Sequence, residues 1–238
     1  MIPARYAATR FPAKLMKRLG DKTVIRHTYD NTIKTGLFSE VVVVTDSDLI
    51  LEEITSHGGK AIKSQKEHQS GSDRIAEAAA NLDVDIILNV QGDEPFVKKS
   101  PLEKLLAVFN DPSVQVASLM QILKDEALVA DENYVKVAVD KYGNSLMFSR
   151  SAIPYRRDKS VPVKYYEHIG VYAFRKKALL DFTSWEPTPM ESAEKIECLR
   201  YLENGIPLRM VLTEFMRVEI DTPEDLEKAE TLLKNFKV

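Results

Sequence analysis

The hydrophobic residues of the first half of the chain fall in short continuous runs separated by segments with helical periodicity. Two runs, VVVVT at 41–45 and IILNV at 86–90, are rich in β-branched and aliphatic residues. Runs of this kind are typical of strands buried on both faces of a parallel sheet. Two further strands are predicted at 61–64 and 114–123. Helices are predicted between these strands, at 46–57, 72–82 and 100–109.

This alternation of strands and helices predicts an α/β fold. The sheet is expected to be mixed but mostly parallel, doubly wound and Rossmann-like, with crossover helices on its faces. Ligands bind to such sheets outside the carboxyl ends of the strands. The loops that follow the strands are therefore the first places to look for chemistry.

The second half of the chain is predicted to have shorter strands, which no longer alternate regularly with helices. Strands are predicted at 135–139, 145–149, 168–174, 208–212 and 216–220, with a hairpin turn at 141–144. Helices are predicted at 191–204 and after the N-cap residue Thr222. We expect a single domain, 1–238, with an antiparallel insertion at about 134–174 that supplies a dimer surface.

Composition narrows the function classes. The chain has 238 residues, a formal net charge of −3 and one cysteine, Cys198. The slightly negative net charge does not indicate a nucleic-acid-binding surface. A single cysteine rules out an intrachain disulfide and a multi-cysteine metal site. No apolar run reaches the roughly 20 residues needed to span a bilayer. We expect a cytoplasmic protein with no membrane insertion.

The opening stretch IPARYAATRFPAK, residues 2–14, is unusually basic. It contains Arg5, Arg10 and Lys14, and no acidic residue precedes Asp21. These cations, with the Thr9 hydroxyl and backbone amides, suit a polyphosphate. The chain has neither a Walker A motif nor a G-x-G-x-x-G fingerprint, which disfavours a P-loop or dinucleotide site. Solvated surface charge and a transit peptide are the alternative interpretations.

Two separate carboxylates follow predicted strands. Asp93 lies in the segment QGDEP directly after the run 86–90, and Asp221 comes between a predicted strand and a helix N-cap. Carboxylates at such positions suit Mg²⁺ held together with phosphate oxygens. Asp93 could instead belong to a plain acidic turn, and Asp221 could be a helix-capping acid. Taken with the basic loop, they indicate a nucleotide–Mg²⁺ site.

Two other groups of residues are weaker candidates. Ser70 and Gly71 open a predicted helix, whose N-terminus either binds an anion or is merely capped, and we interpret His68 as a loop histidine. The basic residues Arg150, Arg156, Arg157 and His168 lie in the predicted insertion. They suit a carboxylate substrate, although surface charge or interface ion pairs remain open alternatives.

The order of several motifs resembles that of the bacterial CMP-Kdo synthetases, the 3-deoxy-manno-octulosonate cytidylyltransferases. The motifs are IPARYAATRFPAK, HQSGSDR, NVQGDEP, FSRSAIPY, HIGVYAF and DTPEDL, and they extend over essentially the whole chain. The resemblance implies a glycosyltransferase-A-like α/β fold. It also implies a Mg²⁺-dependent homodimer in which CTP and Kdo give CMP-Kdo and pyrophosphate, for lipopolysaccharide synthesis in the cytoplasm.

The resemblance also implies roles for individual residues. Nucleotide binding falls to Arg5, Thr9, Arg10, Lys14, Ser70, Gly71 and Gln91, with Arg10, Lys14 and Asp93 acting in catalysis. The metal ligands implied are Asp93 and Asp221. The sugar acid is expected to contact Arg150, Arg157, His168 and Glu197, and the insertion at 134–174 to contribute to this site.

Some departures from the family pattern leave alternatives open. Ala8 stands where the family often has serine, and Cys198 stands where many members have glutamine. The alternative substrate is another 2-keto sugar acid, such as the 8-amino analogue of Kdo or a sialate-like acid. A non-catalytic nucleotide-binding regulator is a further alternative, although binding alone does not require two metal ligands.

Overall fold

A computed structural model describes residues 1–7, 11–68, 70–214 and 218–234. The chain forms two compact units, unit 1 from 1–103 with 217–238 and unit 2 from 104–216. The strands are β1 (Ile2–Ala4), β2 (Arg18–Leu19), β3 (Lys22–Thr23), β4 (Val43–Thr45), β5 (Ala61–Lys63), β6 (Ile86–Asn89), β7 (Val116–Leu123), β8 (Lys136–Val139), β9 (Ser145–Ser149), β10 (Tyr165–Arg175) and β11 (Arg209–Leu212). The α-helices are α1 (Val24–Lys34), α2 (Asp48–Thr55), α3 (Gly71–Ala79), α4 (Lys99–Ala107), α5 (Glu126–Ala130), α6 (Lys176–Ser184), α7 (Pro189–Glu194), α8 (Leu199–Glu203) and α9 (Pro223–Leu233).

Unit 1 contains the parallel sheet that the hydrophobic runs predicted. Its strand order is β1-β4-β5, with Ile2 opposite Val43 and Val43 opposite Ala61. The N–H of Val90 donates to the carbonyl of Met1 at 3.0 Å, so the end of β6 lies beside the start of β1. β1 and β4 are buried along their whole length, as strands covered on both faces must be.

Unit 2 contains a sheet of different character, with strand order β11-β7-β10-β8-β9. Along this order the β11–β7 pair is parallel, and the β7–β10, β10–β8 and β8–β9 pairs are antiparallel. The long β7–β10 ladder shifts register between Ile169 and Tyr172. At this bulge the Ser118 side chain lies 2.9 Å from the carbonyl oxygen of Ile169 and 3.0 Å from that of Val171. The predicted α/β class with a mixed sheet is confirmed.

The helix predicted over 191–204 is wrong as a single element. The structure has α7 and α8, separated at Lys195, whose φ of 54° lies in the left-handed region. The carbonyl oxygen of Glu194 accepts a hydrogen bond from Arg150 Nε at 2.7 Å, a side-chain contact that periodicity does not reveal. A bidentate ion pair between Arg200 and Glu191 ties the two short helices together.

Other predictions differ in detail. The helix predicted at 100–109 begins one residue earlier, at Lys99, and α4 ends at Ala107. The predicted strand 216–220 is absent over residues 218–220, and residues 216 and 217 lie outside the described part of the chain. Helices α1, α5 and α6 were not predicted. The single-domain assignment with an insertion at 134–174 stays a prediction. Within the described ranges, no helix is both long and apolar enough to cross a bilayer.

The N-terminus of α9 is capped as predicted. Thr222 Oγ1 accepts from the N–H of Asp225 at 3.2 Å, and Asp225 Oδ2 accepts from the N–H of Thr222 at 3.1 Å. This reciprocal pair satisfies two N–H groups that would otherwise lack partners at the helix start.

We expect Thr222→Ala to lower the free energy of unfolding by about 1 kcal/mol, because it removes the N-cap acceptor. Thr222→Ser keeps the hydroxyl and is the matched control. Urea denaturation followed by circular dichroism measures both variants. Equal losses in the two variants would contradict the capping role.

Candidate active site

The loop after β6 is held by α1. Gly92 accepts a hydrogen bond at its carbonyl oxygen from Thr28 Oγ1 at 2.9 Å, and the carbonyl of Pro95 accepts from Asn31 Nδ2 at 2.7 Å. Thr28 and Asn31 are themselves buried polar residues of α1. Two ends of the loop are therefore fixed from one helix, and Asp93 lies between them.

The loop also packs closely against its surroundings at Gly92. A Cβ atom at this position would lie 3.0 Å from the carbonyl oxygen of Pro3, 3.2 Å from Ile25 Cδ1 and 3.3 Å from Leu15 Cδ1. Only glycine allows this approach without displacing the neighbours. Gly92 thus brings Asp93 close to the end of β1.

Asp221 reaches the same place from the other end of the chain. The N–H of Ile220 donates to the carbonyl oxygen of Asp93 at 3.1 Å, and the Ile220 side chain is fully buried. The carboxylate that caps α9 belongs to Asp225, so helix capping does not account for Asp221. The two carboxylates predicted to converge do so within unit 1.

Lys14 joins the two carboxylates. Its Nζ donates to Asp93 Oδ2 at 2.5 Å and to Asp221 Oδ1 at 2.6 Å. The side chains of Lys14, Asp93 and Asp221 are 17%, 14% and 20% exposed, respectively, so solvent screens these pairs only in part.

The charge state of Lys14 follows from this setting. Burial acts to lower the pKa of Lys14, but the attraction of Asp93 and Asp221 outweighs it and raises the pKa above the ordinary 10.5. The ammonium is therefore charged at neutral pH. Its stabilising contribution is present below the ordinary pKa and is lost only as pH rises through the raised value.

A third carboxylate, Glu219, belongs to the cluster and was missed in the sequence. Carboxylate oxygens of Asp93, Glu219 and Asp221 all lie within 4.8 Å of one another. Glu219 and Asp221 flank the buried Ile220, and alternate residues of an extended segment point to the same side. This i, i+2 spacing is the signal that could have found it.

The cluster has the chemistry of a divalent-cation site. Asp93 Oδ1 is buried and accepts no hydrogen bond from the described residues. Three carboxylates surround one ammonium, that of Lys14, which pairs with Asp93 and Asp221. Hard carboxylate oxygens are the ligands that Mg²⁺ prefers. These residues therefore fit the metal that the sequence predicted.

A cavity of about 270 Å³ opens beside this cluster within unit 1. The predicted residues on its wall are Arg5, Lys14, Ser70, Gly71, Gln91, Asp93 and Asp221. Their convergence on one cavity is what the strand-end argument required. The predicted residues Thr9 and Arg10 lie outside the described residues.

Two cavity residues on or near α3 also have structural roles. Ser70 is the N-cap of α3, since its Oγ accepts from the N–H of Asp73 at 3.1 Å. His68 lies in a loop, as predicted, but its side chain is only 3% exposed and pairs with Glu77 on α3. The same histidine lines the cavity, which the sequence did not suggest.

Arg74 is a further cavity residue that the sequence did not single out. It is 5% exposed, and its Nη1 donates to the carbonyl oxygen of Ala4 at 2.6 Å. Its Nη2 donates to Asp46 Oδ2 at 2.7 Å. Arg74 thereby ties the ends of β1 and β4 to α3, and so supports the wall of the cavity.

The four residues predicted for the sugar acid all belong to unit 2. Arg150 is anchored through Nε to the Glu194 carbonyl oxygen at 2.7 Å and through Nη1 to the Glu132 carbonyl oxygen at 2.9 Å. His168 is buried, with Nε2 3.0 Å from Ser118 Oγ.

The other two predicted sugar-acid residues differ in exposure. Arg157 is exposed, and Glu197 is half-buried in the turn between α7 and α8. A shared pocket for the four sugar-acid residues stays a prediction.

Comparison with known proteins identifies the family of the chain. A model of the family described as "Cytidylyltransferase" matches residues 1–237. A fold and site of this kind define a nucleotidyltransferase. The 3-deoxy-manno-octulosonate cytidylyltransferase of Flavobacterium johnsoniae is 58% identical over 99% of this chain and 98% of its own length. That of Christiangramia forsetii is 56% identical over 98% of this chain and 95% of its own.

A solved structure, of CMP:2-keto-3-deoxy-manno-octonic acid synthetase complexed with CTP, has a TM-score of 0.93 and 35% identity. It covers 98% of this chain and 96% of its own. The chain belongs to the 3-deoxy-manno-octulosonate cytidylyltransferase family, and the family predicted from its motifs is confirmed.

Replacing Gly92 tests the close packing of the Asp93 loop. We expect Gly92→Ala to displace the loop by a few tenths of an ångström, since a Cβ would meet the Pro3 carbonyl at 3.0 Å. The shift should reduce turnover about tenfold or more, because catalytic groups tolerate little misplacement. Steady-state kinetics measures it. Gly36→Ala is the control for a general loss of stability, because the φ of 67° at Gly36 strains an alanine although no neighbour would touch its Cβ.

Proposed function

We propose that this protein transfers the cytidylyl group of CTP to 3-deoxy-D-manno-octulosonate. The anomeric hydroxyl of the sugar acid releases its proton to solvent and its oxygen forms a bond to the α-phosphorus, while the bond from that phosphorus to the bridging oxygen breaks and pyrophosphate leaves. The observation that carries the proposal is the junction of Lys14, Asp93 and Asp221 beside a cavity in a chain of this family.

The nucleotide is assigned to the cavity of unit 1. Arg5 and Lys14 supply positive charge for the triphosphate, together with Arg10 and the hydroxyl of Thr9. Ser70, Gly71 and Gln91 contact the cytidine part. Charge on the leaving pyrophosphate grows as the bond breaks, and fixed cations stabilise it there without reorganising. The convergence of five of these residues on one cavity supports the assignment.

The metal is assigned to the carboxylate cluster. Asp93 and Asp221 would hold Mg²⁺, with Glu219 as a third oxygen donor. When bound, the ion would neutralise phosphate oxygens and polarise the phosphoryl group. Lys14 donates hydrogen bonds to both aspartates, so its ammonium offsets the repulsion between the two carboxylates. The buried Asp93 Oδ1 supports this set of ligands.

The sugar acid is assigned to residues of unit 2. Arg150 and Arg157 suit its carboxylate, since a guanidinium binds a carboxylate through two parallel hydrogen bonds. His168 and Glu197 contact its hydroxyl groups. We also retain a homodimer and a cytoplasmic location, where CMP-Kdo would enter lipopolysaccharide synthesis. Sedimentation velocity tests the dimer.

The reaction is tested by pyrophosphate release across a panel of sugar acids. We expect purified protein with CTP and Mg²⁺ to turn over Kdo with a higher kcat/KM than 8-amino-3,8-dideoxy-manno-octulosonate or a sialate. A higher value for another acid would reassign the substrate within the class. Release with none of them would overturn the proposed function.

Replacing one metal ligand separates catalysis from binding. We expect Asp93→Asn to lower kcat at least about 100-fold while CTP affinity changes less, because the charge that it fixes acts mainly in the transition state. Calorimetry measures the affinity for CTP, and single-turnover kinetics measures the rate of the chemical step. Equal losses in both would favour a nucleotide-binding regulator.

The contribution of Glu219 is tested on the metal itself. We expect Glu219→Gln to weaken Mn²⁺ binding, measured by electron paramagnetic resonance in the presence of CTP, by roughly tenfold. Glu224→Gln, an exposed acid in the first turn of α9, is the matched control. Unchanged Mn²⁺ affinity in Glu219→Gln would remove Glu219 from the ligand set and leave the two aspartates.

A further inference from the structure

We propose that Glu194 is a positioning residue that holds Arg150 ready for the carboxylate of the sugar acid. The inference rests on the proposed function, which assigns Arg150 to that carboxylate. Glu194 is thereby added to the residues of the proposed sugar-acid site. It contacts no reacting atom and acts through Arg150. All the contacts that support it lie within unit 2.

Glu194 holds the end of β9 by three hydrogen bonds. Its Oε1 accepts from Ser149 Oγ at 2.7 Å, and its Oε2 accepts from the N–H of Arg150 at 3.0 Å. Its main-chain carbonyl oxygen accepts from Arg150 Nε at 2.7 Å. One residue therefore fixes both the backbone and the guanidinium of Arg150.

The break between α7 and α8 makes the third of these bonds available. In a continuous helix the Glu194 carbonyl would accept from the N–H of residue 198. The chain instead turns at Lys195, in a left-handed conformation that non-glycine residues rarely adopt. An unfavourable backbone conformation at one position is offset by the contact that it allows, as is common at functional sites.

The hydrogen bonds that anchor the guanidinium of Arg150 end on main-chain carbonyl oxygens. Its guanidinium is held by the neutral carbonyl oxygens of Glu194 and Glu132, while the Glu194 carboxylate bonds to a main-chain N–H. Among the described residues, Arg150 forms no ion pair, and its Nη2 makes no hydrogen bond. The Nη1–Nη2 side of the guanidinium thus retains donors for two parallel hydrogen bonds to a carboxylate.

Glu194 is suited to accept hydrogen bonds throughout the neutral range. The hydrogen bond from the Arg150 N–H and that from the Ser149 hydroxyl lower the pKa of the Glu194 carboxyl. An ionised carboxylate accepts at both oxygens, whereas a carboxamide offers one acceptor and one donor. In Glu194→Gln one acceptor is lost, and the NH₂ group finds an acceptor only if the Ser149 hydroxyl rotates out of its donor role.

The test is a double-mutant cycle on the whole protein with Kdo, CTP and Mg²⁺. We expect Glu194→Gln to raise KM for Kdo about tenfold, with KM for CTP and the thermal midpoint unchanged. In the Arg150→Ala background the same substitution should change KM for Kdo less than twofold, because coupled residues are not additive. The control is Glu186→Gln, the same charge change at an exposed residue of unit 2.

Each other outcome overturns a distinct statement. Equal effects of Glu194→Gln in both backgrounds would show that Glu194 does not act through Arg150. A matching rise in KM for CTP, or a lowered thermal midpoint, would make its role structural. Should Glu194→Gln fail to fold, Glu194→Asp enters the same cycle. Normal Kdo binding in Arg150→Ala would remove Arg150 from the sugar site, and inactive wild-type protein would overturn the proposed function itself.

Discussion

The candidate site depends on the ammonium of Lys14 lying between Asp93 and Asp221. Like charges held this close repel one another, and a cation between them converts that repulsion into attraction. The bridge joins Lys14, near the start of the chain, to the loop after β6 and to Asp221, two residues before α9. Because the cavity wall is built from the same segments, its shape follows from this contact. The parallel sheet brings these backbones together, and the charges hold the side chains there.

Much of this site could be predicted because it obeys local rules. Continuous apolar runs marked β4 and β6, and polar residues after a strand identified Asp93 and its loop. Glu219 was missed although its i, i+2 spacing from Asp221 is a short-range signal, whereas Arg74 lies in no pattern that short-range rules interpret. Arg74 contributes through the Ala4 carbonyl and Asp46, contacts that exist only once the strands are in register. The predicted helix over 191–204 failed for a related reason. The periodicity of residues 191–204 does not reveal that the distant Arg150 side chain donates a hydrogen bond to the Glu194 carbonyl oxygen.

The two units use arginine in contrasting ways. In unit 1, Arg74 is buried and donates to the carboxylate of Asp46, so its charge is neutralised and it serves packing. In unit 2, the guanidinium of Arg150 donates to two main-chain carbonyl oxygens, which fix its orientation, and forms no ion pair with the described residues. A fixed but unneutralised cation recognises an anion with little loss of side-chain entropy on binding. For these two arginines, the hydrogen-bond partners of the guanidinium therefore indicate the role of the residue better than the burial of its side chain does.

Unit 1 is made from both ends of the chain, with all of unit 2 between them. Lys14 and Asp221 are 207 positions apart, although their side chains touch. During synthesis on the ribosome, the residues around Asp93 emerge long before the carboxylate that completes their group. A nascent chain that has not yet extended past unit 2 therefore lacks two of the three carboxylates of the cluster, Glu219 and Asp221. The proposed set of metal ligands is complete only after the whole of unit 2 has been made.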